Sequence, residues 1–196
     1  MTGMDKKQRQ NEAVLACAAR QGDKEALREL LVRNWPWLRG LVYSVVGNAQ
    51  DIDDCLQDIC VRVIERIDTL RDPERFRPWL ATVAKHHALR FHRKRKPLSV
   101  SLYEGSAEQR CDEKAEQFIE DMERKERCEQ VLEAAGTLPQ KYREVFMLAY
   151  SSDLTYAQMA EILDVPVTTM QIRLARARKM ILNKVTGKSK NRVAKR

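Results

Sequence analysis

Residues 154–182 read LTYAQMAEILDVPVTTMQIRLARARKMIL, and this stretch decides the fold. Thr155 and Gln158 stand three apart, the spacing of a capping box, in which hydroxyl and amide reciprocally satisfy the first free N–H groups of a helix. Leu154 and Met159 flank the box at the positions of a hydrophobic staple. The pattern predicts a short helix over residues 155–163, with Ala160 in its middle, where a crossing helix needs a small residue. Asp164-Val165-Pro166 predicts a tight turn. A second helix begins near Val167, with Val167, Met170, Leu174, Ala177 and Ile181 inward at spacings of three and four. Its opposite face carries Thr168, Thr169, Gln171, Arg173, Arg176 and Lys179. Two helices joined by so short a turn, the second polar and basic, predict a helix-turn-helix. Short polar side chains at the start of that second helix suit base edges and phosphates, and Arg and Gln can read bases bidentately.

Outward from this stretch the same helical rhythm recurs, and no strand pattern competes with it. A first helix is predicted over residues 12–33, with Ala26, Leu27, Leu30 and Leu31 on one face. Pro36 restarts the chain, and Leu38, Leu41, Val42, Val45 and Val46 share the next face until Gly47 and Asn48 end it. The third helix is the most regular: Ile52, Cys55, Leu56, Ile59, Cys60, Val63, Ile64 and Ile67 form its apolar stripe. Acids open it (Asp51, Asp53, Asp54, Asp58) and Arg62 and Arg66 close it, in the order that complements a helix dipole.

Asp72-Pro73 and Pro78 mark a turn and a fourth helix start. That helix places Phe76, Trp79, Leu80, Val83, Ala84, His87, Ala88 and Phe91 inward and ends in the basic run before Pro97. Periodicity lapses over residues 97–112. It resumes in a helix through Ile119, Met122, Cys128, Val131, Leu132 and Ala135, ended by Gly136. Thr137 and Gln140 fit a further capping box, and Tyr142, Val145, Phe146, Ala149 and Tyr150 face inward after it. The fold class expected is all-α: two small helical domains joined by a flexible linker, the C-terminal one containing the helix-turn-helix.

The net charge of +8 matters less than its distribution. Residues 71–97 hold nine basic and two acidic side chains, and residues 171–196 hold ten basic and none acidic. The segments before and between these blocks are net acidic. Two separated basic blocks predict two nucleic-acid contact surfaces. Residues 1–12 are polar and predict no export leader, and no stretch reaches the ~20 apolar residues of a membrane span. Five cysteines without paired spacing predict reduced thiols in a cytosol and no zinc site. No phosphate loop, nucleophile–base pair or metal-ligand set appears, and His86, His87 and His92 have no carboxylate in their own segment. Neither enzymatic activity nor a cofactor is expected.

The segment AAGTLPQKYREVFMLAYSSDLTYAQMAEILDVPVTTMQIRLARARKMI resembles the sigma-four domain of extracytoplasmic-function (ECF) sigma factors, of the sigma-70 family. Residues 47–97 resemble the family's sigma-two domain. There DIDDCLQDICVRV is similar to the polymerase-binding helix, and FRPWLATVAKHHALRFHRKRK to the promoter-melting helix. The resemblance implies a transcription initiation factor with core RNA polymerase and promoter DNA as partners, and an anti-sigma factor as a further candidate. It implies that Asp54, Gln57 and Asp58 dock on polymerase. Lys85, His86, Arg90 and Arg93 would engage the −10 element, and Thr168, Thr169, Gln171, Arg173, Arg176 and Lys179 the −35 element.

The domains expected are residues 12–97, a linker over 98–112, residues 113–185, and a basic tail over 186–196, in a cytoplasmic protein without membrane insertion. The sequence departs from the family at His86, where Asn is common, at Arg90, where Asp is common, and at Pro166, where Ser is frequent. Cys60 and Ile64 replace frequent aromatic residues. A stand-alone operator-binding regulator is the alternative. It accounts for residues 154–182 but not for a second basic helix beside an acidic one.

Overall fold

The computed structural model describes residues 6–47, 49–94, 128–151 and 153–193. Expectations for Asn48, Pro97, the linker at 98–112, Cys111, Ile119 and Met122 lie outside the described residues. Among those described, the chain is helical throughout, with no strand. The helices are α1 (Lys6–Arg20), α2 (Lys24–Val46), α3 (Ile52–Arg66), α4 (Phe76–Lys94), α5 (residues 128–136), α6 (Gln140–Ser151), α7 (Tyr156–Leu163) and α8 (Val167–Val193).

The N-terminal half departs from expectation at its start. The break falls at residues 21–23 and not at Pro36. Gly22 takes φ 97°, open to glycine, and the Asp23 carboxylate accepts from the N–H groups of Glu25 and Ala26. That N-cap begins α2, which then runs through Pro36. A proline inside a helix deprives the carbonyl four residues back of its donor. Here both Pro36 and Val32 are exposed, so water can serve that carbonyl. Gly47 ends α2 at φ 74°, as its type predicts.

Buried polar groups tie the half together. Asn34 donates to the Glu12 carboxylate (2.7 Å) and to the Leu30 carbonyl (2.8 Å), and accepts from the Trp37 indole (2.6 Å). Arg77 of α4 pairs with Glu12 at 2.9 Å and reaches Asp153, just before α7, at 3.5 Å. No buried side-chain nitrogen or oxygen among the described residues lacks a partner, so this network avoids the cost of unsatisfied burial.

The two helical sets pack on each other. One hydrophobic core runs from Leu30, Leu38 and Leu41 of α2 and Leu80 of α4 into Val145 and Leu148 of α6 and Met159, Ile162 and Leu163 of α7. A smaller cluster joins Ala135, Leu138, Phe146, Ala177 and Ile181.

Cations of each half cap a helix of the other. Arg143 of α6 donates to the Ser44 carbonyl in the last turn of α2 (2.9 Å) and to the Gly136 carbonyl ending α5 (2.9 Å). Lys85 of α4 donates to the Ile162 carbonyl in the last turn of α7 (2.9 Å). The final carbonyls of a helix have no intrahelical donor, and the dipole there favours positive charge. Burial pulls both Arg143 and Lys85 below their usual values.

The box at Thr137 and Gln140 does not form, because the Thr137 hydroxyl donates back to the Ala134 carbonyl and Gln140 donates to Glu144. Tyr150 is exposed rather than inward, its hydroxyl accepting from Arg178 at 2.8 Å.

Candidate nucleic-acid and protein interfaces

The Thr155–Gln158 box is present with both bonds: the Gln158 N–H donates to the Thr155 hydroxyl at 3.2 Å, and the Thr155 N–H to the Gln158 amide oxygen at 2.9 Å. Leu154 and Met159 are buried beside it. Asp164 turns the chain at φ 54°, its N–H capping the end of α7. Helix α8 then buries Met170, Leu174, Ala177 and Ile181. Val167, expected inward, is exposed instead, at the first turn where little packs over it.

The opposite face exposes Thr168, Gln171, Arg176 and Lys179, while Thr169 and Arg173 are half-buried. Arg176 hydrogen-bonds the Tyr142 phenol, which lowers the pKa of that phenol. Exposed Ile172, Ala175 and Arg178 share the face or border it; polarity-based reading passed over the first two.

The N-terminal half offers a cleft of about 260 Å³ between α3 and α4. Arg62 and Arg66 wall it from α3, and Trp79, His86 and Arg90 from α4. Arg62 and Arg66 complement the helix dipole at the end of α3. Their spacing of four puts both on one face of α3, which in the structure borders the cleft with α4, and that shared face is the signal the spacing carries. Trp79 departs from its expected inward place. It is only partly buried, with its indole donating to the Thr69 hydroxyl at 3.2 Å and one side on the cleft.

Of the other α4 candidates, Arg93 is exposed near the helix end. Lys85 is turned toward α7. His87 meets a carboxylate after all, Asp58 of α3 at 3.3 Å.

The outer face of α3 exposes Asp54, Gln57 and Asp58 together. Val61 (52% exposed) and Ile64 (60%) continue the same row at spacings of three and four. Ile64, expected in the core stripe, is therefore displaced from it. Cys60, half-buried, sits at the stripe's edge. Arg39 of α2 pairs with Asp53 beside this row.

Among the described residues no cluster of His, Cys, Asp and Glu is placed to hold a metal, and no helix is long and apolar enough to cross a membrane.

Comparison with known proteins accounts for both halves. A family model for sigma-70 region 2 matches residues 30–97, and one for sigma-70 region 4 matches residues 128–181. The ECF RNA polymerase sigma factor SigW of Bacillus subtilis (strain 168) is 28% identical over 174 residues, covering 83% of this chain and 90% of the relative. The ECF RNA polymerase sigma-E factor of Escherichia coli (strain K12) is 28% identical over 180 residues, covering 89% and 94%.

The chain belongs to the ECF group of sigma-70 family sigma factors.

An ECF sigma factor binds core RNA polymerase and directs it to promoters in transcription initiation. A stand-alone operator-binding regulator would match region 4 without region 2. The fold of this sigma factor is shared with two solved structures. CnrH in complex with the cytosolic domain of CnrY has a TM-score of 0.60 at 22% identity, covering 90% of this chain and 97% of that one. RpoE in complex with the anti-sigma factor NepR from Bartonella quintana has a TM-score of 0.65 at 18% identity, covering 81% and 96%.

Proposed function

We propose that this sigma factor divides promoter recognition between two chemically different surfaces, with a third surface for polymerase. The α3–α4 cleft receives unpaired bases of the −10 element, and the outward face of α8 reads the −35 element as duplex. The row Asp54, Gln57, Asp58, Val61 and Ile64 docks on core polymerase. The observation that carries this reading is the cleft itself: three guanidinium groups, an indole and two imidazoles around one space of about 260 Å³. Unpaired bases need π-faces or planar cations to stack on, and their phosphates need positive charge. Helix α8 contains no aromatic residue, and duplex reading needs none.

On this reading His86, Arg90 and Arg93 contact the opened strand together with Arg62, Arg66 and Trp79. Lys85 joins them once it leaves the Ile162 carbonyl. Gln171 and Arg176 read base edges, with Thr168, Thr169, Arg173 and Lys179 as base or phosphate contacts.

The third surface combines acids with exposed valine and isoleucine, the mixture of apolar centre and polar rim that protein interfaces use. Residues 12–97 and 113–185 are the two working units. The protein acts by binding, without a reaction of its own, in the cytoplasm where polymerase and chromosome meet. An anti-sigma factor is a candidate partner, since the two structural relatives are complexes with CnrY and NepR.

The test uses the full chain with core polymerase on a promoter recovered by selection. His86→Ala and Arg90→Ala should reduce permanganate-reactive strand opening while leaving duplex binding nearly intact. Arg176→Ala should instead weaken duplex binding by ~1–3 kcal/mol. Normal opening in both cleft variants would end the −10 assignment.

A further inference from the structure

The outward centre line of α8 runs through Thr168, Ile172 and Lys179, and is apolar in its middle. The buried side chains Met170, Leu174, Ala177 and Ile181 define its inner stripe. At 100° per residue, Ile172 lies nearly opposite the middle of that stripe. It is 53% exposed, with Thr168 one turn before it and exposed Ala175 almost one turn after. Gln171 flanks this row on one side and Arg176 on the other.

A helix laid in the major groove presents its outermost line to the base edges. Between Thr168 and Lys179 that line offers the methyl groups of Ile172, with Ala175 beside them and the hydrogen-bonding side chains of Gln171 and Arg176 to either side. The one apolar group on a base edge in that groove is the C5-methyl of thymine.

We propose that Ile172, supported by Ala175, is a specificity residue that selects thymine in the −35 duplex through its methyl group. The proposal rests on the −35 reading of α8. An isolated exposed isoleucine needs no explanation in general. This one stands at the apex of a face bearing Gln171, Arg176 and Lys179, in a C-terminal segment, residues 171–196, that holds no acid at all. That company fits DNA.

The experiment uses the full chain bound to core polymerase and a promoter selected from a random duplex library. Each thymine of the upstream element is replaced singly by deoxyuridine, which removes the methyl and nothing else. One or two positions should lose about fourfold in affinity, the worth of one buried methyl. In Ile172→Ala the same replacements should have no effect, with the melting temperature unchanged. Ile172→Gln should shift the selected base toward adenine, which glutamine bonds bidentately.

Indifference of the unaltered protein to every deoxyuridine overturns the proposal. So does an Ile172→Ala variant that keeps the full deoxyuridine effect, or one whose defect is in affinity for polymerase without DNA. Recovery of no upstream duplex element at all would overturn the −35 reading beneath it, a result distinct from each of these.

Discussion

At the residue scale, Cys55 shows how burial sets chemistry. It is fully buried in α3, and burial, with Asp58 nearby, pushes its thiol from 9.0 up to about 12. The folded state therefore keeps its proton where the unfolded chain loses it. Stability from this group is complete below pH 9 and declines as pH rises from 9 toward 12. At pH 10 the loss should be roughly 1 kcal/mol. Urea unfolding at pH 7 and pH 10, compared with Cys55→Ala, isolates it: the variant should lose less stability between the two pH values. Equal losses would contradict the assignment. Under native conditions Cys17 and Cys128, both exposed, should react with thiol reagents and Cys55 should not.

At the element scale, α7 shows what the sequence could and could not reveal. Eight residues are too few for a helix to hold alone. Its box at Thr155 and Gln158 and its staple at Leu154 and Met159 were all legible, because each is a local pattern with a fixed spacing. The Thr137–Gln140 pair has the same spacing, yet fails, because Thr137 finds the Ala134 carbonyl and Gln140 finds Glu144. A capping pattern states a capacity, and nearby acceptors decide whether it is used. The break before α2 was missed for a related reason: the apolar rhythm runs on through residues 12–33, and only Gly22 and Asp23 interrupt it.

Exposed apolar residues were the least legible. Ile64 and Ile172 are apolar, so periodicity assigns the first to the core and polarity passes over the second. Arg62 and Arg66 serve a dipole in sequence and a cleft in space. For α7 the expectation is definite. Thr155→Ala should cost ~1 kcal/mol, read as a lower urea midpoint with unchanged slope. A neutral result would mean that packing of Met159 and Ile162 alone maintains the helix.

At the scale of the whole molecule, the closed arrangement conflicts with simultaneous use of both DNA surfaces. Promoter elements centred at −35 and −10 lie about 25 base pairs apart, roughly 85 Å along duplex at 3.4 Å per step. In this structure α4 is within one hydrogen bond of α7, through Lys85 and the Ile162 carbonyl. On the proposed division of −10 and −35 work, the halves separate when this sigma factor engages a promoter.

Separation exposes the apolar contact of Val145 and Leu148 with α2 and breaks Arg75–Glu161, Arg77–Asp153, Lys85–Ile162 and Arg143–Ser44. The first of these ion pairs is exposed and contributes little. Arg143 matters more, because without it the Ser44 carbonyl of the closed form loses a charged donor, at a cost of about 1–3 kcal/mol. Arg143→Ala should accordingly raise the open fraction of the free chain about tenfold. Energy transfer between dyes at exposed Lys24 of α2 and Glu129 of α5, neither of them a proposed DNA or polymerase contact, reads the separation directly. It should report the closed distance in the free chain, a larger open population in Arg143→Ala, and a separation of several tens of ångströms once core polymerase and promoter are added. A dye separation that stays at its closed value in the promoter complex would show that this packing of the two halves persists during recognition, and the division of −10 and −35 work between them would fall with it.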